Sequence, residues 1–128
     1  MSLNRVILIG WVQGEPKHTL SLDGLYASEI NLLTRGAPEM AHPKTLHRVL
    51  ARGNLSSFVR QAVCPGDELY VEGSLYEENL KEKRNKAMAV QTEVRILAEG
   101  MQNLSFPKRM ADVPATEAEL LSSLVQRR

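Results

Sequence analysis

Five short strands, with one short helix between the third and the fourth, predict an all-β fold: a small closed barrel followed by a helical tail. Three observations carry this. Runs of β-branched and apolar residues recur at short intervals, separated by Gly, Pro and Asp clusters. Within the first hundred residues only Leu55, Phe58, Val59 and Ala62 recur at helical spacing. Gly10 interrupts an otherwise continuous first strand, which marks a bulge or a barrel corner.

The elements follow in order. "LNRVILIGWV" (3–12) is dense in β-branched residues and reads as the first strand. "QGEPKHT" reads as a loop, and Asp23-Gly24 is a strong hairpin signal. "LYASEINLLT" (25–34) puts Tyr26, Ser28, Ile30 and Leu32 on one face. A loop with Pro38 and Pro43 leads to the third strand, Thr45 to Arg52. One face of that strand carries Leu46, Arg48, Leu50 and Arg52, half apolar and half basic.

The helix follows, with Asn54 or Ser56 as its expected cap and Pro65-Gly66-Asp67 as its stop. Strand four, "ELYVEGSLY", puts Leu69, Val71, Gly73 and Leu75 on one face. The basic "EENLKEKRNK" reads as a hairpin tip. Strand five puts Met88, Val90, Thr92, Val94 and Ile96 on one face. The last strand is expected to pair back with the first and remove the open edges.

Residues 1–104 form the expected barrel domain, and 105–128 a linker with a short amphipathic helix. In that tail Thr116 and Glu119 make a capping-box pattern, and Leu120, Leu121, Leu124 and Val125 an apolar stripe. A helix so short needs a partner: its own domain, a sister subunit or another protein.

At 128 residues, 43% hydrophobic and 24% charged, the chain fits one soluble domain. No apolar run approaches the roughly 20 residues that span a bilayer, and no membrane partner is expected. The N-terminus reads as a strand and not as a signal peptide. The one cysteine, Cys64, excludes an intramolecular disulfide, suits a reducing compartment and reads as a small apolar residue closing the helix. His18, His42 and His47 have no zinc spacing, and His47 is expected to point inward with Val49. No phosphate loop and no nucleophile or zinc-protease motif is present, so an enzyme is not expected, nor a cofactor.

The net charge of +1 gives no bulk argument for nucleic acid, but the charge is clustered. From Arg35 to Arg60 there are five basic residues (Arg35, Lys44, Arg48, Arg52 and Arg60) against Glu39 alone. Lys81, Lys83, Arg84 and Lys86 surround Glu82.

The stretches "LNRVILIGWVQGEP" (3–16), "GLYASEINLLT" (24–34), "LHRVLARGNLSSFV" (46–59), "GDELYVEGSL" (66–75) and "TEVRILAEGMQNL" (92–104) resemble, in order and spacing, the bacterial single-stranded DNA-binding protein family, which includes its primosomal relative. The resemblance implies a five-stranded OB-fold barrel, a dimer or tetramer, and binding of single strands with little sequence preference and no cofactor. It implies a basic groove tracking phosphates, and aromatic rings stacking on bases.

The departures fall on those rings. Where the family has a tryptophan before "HRV", this chain has Leu46; Arg52 and Leu80 stand at two further aromatic positions. Only 5% of the chain is aromatic. Trp11 and Tyr76 are candidate replacements, Arg48 coincides with the family's own arginine, and Arg52 offers guanidinium stacking or a phosphate contact. Glu77 and Glu78 oppose a basic groove there, and the family's acidic C-terminal tip is absent from "VQRR".

Two functions are expected of such a chain. The first is a single-stranded DNA or RNA binder, accessory to replication, recombination or repair. Arg5, Arg35, Lys44, Arg48 and Arg52 would line its groove, with Trp11 and Tyr76 as rings and the Lys81, Lys83, Arg84, Lys86 tip closing over the strand. The second is a protein-interaction subunit that has lost strand binding, with Leu46, Leu50, Leu80, Leu120, Leu121 and Leu124 as its interface. The expected compartment is the cytoplasm, at the nucleoid, or an organelle stroma.

Overall fold

The computed structural model describes residues 1–39, 43–80 and 91–105. In chain order these form β1 (Val6–Val12), β2 (Lys17–Leu20), β3 (Tyr26–Arg35), β4 (Lys44–Arg52), α1 (Asn54–Ala62), β5 (Glu68–Leu80) and β6 (Gln91–Asn103). Five strands close a barrel in the spatial order β1, β5, β6, β4, β3 and back to β1; short β2 lies outside the ring, on the far edge of β3.

Closure takes place on β1. From Val6 to Trp11 this strand pairs with β5; at Trp11 and Val12 it also pairs with Leu33 and Leu32 of β3. The crossing requires Gly10. A Cβ there would lie 2.3 Å from the carbonyl oxygen of Leu33, a distance no side chain tolerates. Gly73 plays the same part between β5 and β6. Its Cβ would lie 2.0 Å from the Leu97 carbonyl oxygen, where the register shifts between Glu72 and Gly73.

Alternation then sorts the side chains. Val12, Ile30, Leu32, Val49, Ala51, Leu69, Val71, Ile96 and Ala98 are buried inside the ring, with Val6 and Leu8 packed against them. Phe58, Val59 and Ala62 of α1 join this core, and α1 packs on β3, β4 and β6.

Buried polar groups hold the helix in place. Ser28 Oγ lies 2.7 Å from Ser56 Oγ and 2.8 Å from His18 Nδ1. Asn103 Nδ2 donates to the Ala62 carbonyl at 2.7 Å and to Asp67 Oδ2 at 2.9 Å, while that same carboxylate oxygen accepts the Cys64 N–H at 2.8 Å. These bonds fasten the end of β6 to the end of α1 and the start of β5.

The barrel and its helix agree with the sequence reading, and six details differ. The last strand does not pair with the first: β6 lies between β5 and β4, parallel to β4 through Val49–Ile96 and Leu50–Leu97. Lys17–Leu20, read as loop, is a short strand paired with β3 across the Asp23-Gly24 turn. The residue before α1 is Gly53, which makes no side-chain cap, and Ser56 turns inward to Ser28 instead. Cys64 is exposed rather than packed, since α1 ends before it. Leu75 and Val94 alternate with the core but are exposed, because β5 and β6 run on past the barrel as a two-stranded ribbon. Residues buried on β6 change phase after Ala98, so that Met101 and Asn103 face inward. Lys81, Lys83, Arg84, Lys86, Met88, Val90 and the tail with Leu120, Leu121 and Leu124 lie outside the described residues. Among the described residues, no helix is long and apolar enough to cross a membrane.

His47 points inward as expected. Its Nε2 lies 2.9 Å from Thr34 Oγ1, and burial lowers its pKa. An unfolded imidazole titrates near 6.5. Above that value both states are neutral and His47 costs nothing. As pH falls through it, the unfolded chain takes up a proton that the folded chain resists, so stability drops until folded His47 protonates too.

Two outcomes follow for stability. Gly10→Ala is expected to lower the unfolding free energy by about 1–3 kcal/mol in urea titrations, the range for overpacking. Gly100→Ala, whose Cβ would have no neighbour nearer than 4.0 Å, is expected to change it little. The urea midpoint should fall between about pH 7.5 and about pH 5.5, and His47→Gln should flatten that fall.

Candidate nucleic-acid interface

The strand that raised the question of function, β4, has its inner face in the core and its outer face in solvent. Antiparallel pairing fixes the outer face row by row. At one end Arg35 of β3 stands opposite Lys44 of β4. The next row is Trp11, Leu33 and Leu46, from β1, β3 and β4. Then come Asn31 with Arg48, Glu29 with Leu50, and Ala27 with Arg52. Beyond β4 the face continues onto β6 and β5, where Leu97 pairs with Leu50 and Ser74, Arg95 with Tyr76, and Glu93 with Glu78.

The first two rows build a pocket of about 400 Å³ lined by Trp11, Leu33, Thr34, Arg35, Pro43 and Lys44. Gly10 is what places Trp11 there, because the β1–β3 crossing puts the next residue directly across from Leu33. Trp11 is 47% exposed, so its ring is available. Among the described residues, no acidic residue lines this pocket. A flat aromatic floor beside two uncompensated cations is suited to a base and its phosphate.

The middle of the face is different. Arg48 Nε lies 3.0 Å from Glu93 Oε1. Arg95 reaches both Glu29 and Glu93 at 3.6 Å, and its side chain is only 14% exposed. Its Nε is buried without a hydrogen-bond partner among the described residues. Three carboxylates, Glu29, Glu78 and Glu93, therefore share the face with Arg48 and Arg95, and part of the basic character is neutralised internally. Tyr76 is half-buried opposite Arg95; burial and then Glu78 raise its pKa.

The structure thus brings Trp11, Arg35, Lys44, Leu46, Arg48, Leu50 and Arg52 onto one surface, with Tyr76 at its β5 margin. Arg5 lies apart, bound to Glu72 of β5 beside the outer face of β1. The backbone of Leu80 pairs with Gln91 at the far end of the ribbon. Two features were missed from sequence. Arg95 alternates with Val94 and Ile96 and was legible as an outward residue of "TEVRIL". Tyr26 was read only as sharing a face with Ser28, Ile30 and Leu32, which are inside. It overruns the core instead, is 41% exposed, and has the Arg60 guanidinium 3.9 Å over its ring.

No curated protein matches the chain. Among solved structures, the Plasmodium falciparum SSB complex with ssDNA has a similar fold, with a TM-score of 0.70, 22% sequence identity, and coverage of 81% of this chain and 96% of that one. The model of the single-strand binding protein family matches residues 3–104, the whole barrel with every row of the face described above. This chain belongs to the single-strand binding protein family.

Proposed function

We propose that the chain binds single-stranded DNA along the outer face of β4, as an accessory to DNA replication, recombination or repair. The observation that carries this reading is the pocket in which Trp11 lies beside Arg35 and Lys44, with no carboxylate among the described residues of its lining. Family membership and the strand named with the structural neighbour support it. Phosphate contacts lead the binding, through Arg35, Lys44, Arg48 and Arg52, and Trp11 supplies the base platform that Leu46 does not. Lys81, Lys83, Arg84 and Lys86, which follow β5 in the sequence, add positive charge.

Self-association fits the same architecture. Ile7 and Ile9 are 53% and 54% exposed on the outer face of β1, where a second copy would cover them.

A second reading has an observation of its own. Leu46 is 46% exposed, and the arginines nearest the centre are held by carboxylates. Such a surface also suits a protein partner.

Salt separates the two. Four phosphate contacts to a single strand give a log–log salt slope near −3, or about a 50-fold loss of affinity from about 50 to about 200 mM. Anisotropy titrations of labelled oligo-dT should show that loss. Arg48→Ala with Arg52→Ala should halve the slope. Glu93→Gln, which frees Arg48, should tighten binding by less than about fivefold, the limit for an exposed ion pair. Absence of binding at either salt would overturn the proposal in favour of the protein-partner reading.

A further inference from the structure

The exposed side of the barrel has a second cleft, at the opposite end of β4 from Trp11. It has a volume of about 470 Å³ and is lined by Thr19, Ser21, Leu25, Tyr26, Ala27 and Arg52. Among the described residues no acidic side chain is in its lining, and the adjoining Asp23 carboxylate accepts the hydroxyl of Ser21. Arg60 of α1 holds its guanidinium over the Tyr26 ring. The Gly53 N–H donates to the Tyr26 carbonyl at 3.1 Å, which ties this end of β3 to the start of the helix.

We infer that this cleft is a second nucleotide anchor: Tyr26 carries a base and Arg52 its phosphate. The inference rests on the strand-binding reading above and extends it to a residue outside that set. The chemistry matches that of the first pocket: an aromatic ring, an aliphatic neighbour and a guanidinium, with the adjoining carboxylate of Asp23 already accepting from Ser21. The cation–π contact from Arg60 holds the ring in place before any ligand arrives, so little side-chain freedom is lost on stacking.

The two pockets lie at opposite ends of the β3–β4 hairpin. Nine residue steps along β3 lead from Tyr26 to Arg35, about 30 Å at strand rise. The face between them is the row of Leu46, Arg48, Leu50 and Arg52, in which Arg48 is held by Glu93. Open cations and exposed rings therefore sit at the ends and neutralised ones in the middle. A strand long enough to span the face engages both ends, and the second engagement is intramolecular. Affinity should accordingly rise steeply with length, within the roughly 4–16 nucleotides that one OB fold covers.

The test is Tyr26→Ala, measured by anisotropy at low salt with oligo-dT of about 3 and about 12 nucleotides, lengths that bracket the span. Thermal unfolding of the variant confirms that it folds, and Tyr26→Phe keeps the ring while removing the hydroxyl. Loss of one stacked base should weaken binding of the long strand about tenfold. The short strand, which uses one anchor at a time, should lose at most about twofold. Tyr26→Phe should bind the long strand like the parent chain. If Trp11→Ala weakens long-strand binding and Tyr26→Ala does not, the second anchor is wrong and the first stands. If the unaltered chain binds neither strand, both fall.

Discussion

At Gly10 the backbones of β1 and β3 come close enough that a single methyl group would collide with the Leu33 carbonyl. That contact closes the barrel. It lets β1 leave β5 and reach β3, and so determines which residues of three strands stand side by side. Trp11 comes to lie against Leu33 for this reason, although they are far apart in sequence and belong to different hairpins. The pocket that distinguishes this chain is thus a by-product of how its barrel closes. A ring one position earlier or later on β1 would face the core.

Electrostatics give the face its character. With a net charge of +1, the chain has no general attraction for a polyanion, so any attraction must be local. The outer face divides its charges unevenly. Arg48 and Arg95 share Glu29 and Glu93 in a partly buried network. Arg35, Lys44 and Arg52 line clefts with no carboxylate among the described residues of their linings. A phosphate at the centre must displace a carboxylate, whereas one at either end meets an open cation. The network also offsets repulsion between Glu78 and Glu93, which stand directly opposite each other on β5 and β6. Stability and binding therefore draw on the same arginines.

Much of this was legible in the sequence. Alternation in "YASEINLLT" and "TLHRVLAR" is fully expressed only where strands have two distinct environments, and the reading of β3 and β4 succeeded there: Ser28, Ile30, Leu32, Val49 and Ala51 are inside, Arg48 and Arg52 outside. Gly10 as a corner was also readable, since a glycine in a β-branched run has few other uses. Three things were not. Periodicity says nothing about which strands are neighbours, so β6 was paired with β1 instead of β4. It does not show where burial stops along a strand, so nothing separated Leu75 from Leu69 and Val71, or Val94 from Ile96, although the barrel ends before Leu75 and Val94. It is also blind to bulges, and one near Gly73 shifts the phase of β6. At the candidate site, the meeting of Trp11 with Arg35 and Lys44 depends on long-range pairing. The neutralisation of Arg48 by Glu93 does too.

Trp11 is the only tryptophan of the chain, so its fluorescence reports on one place. The most direct test is to follow that emission while oligo-dT is added at low salt, with anisotropy of the labelled strand recorded in parallel. If bases stack on Trp11, emission should be quenched in a saturable way, with the same midpoint as the anisotropy change. A strand that binds to saturation while the emission of Trp11 stays unchanged would contradict the account, because the base platform would then lie elsewhere.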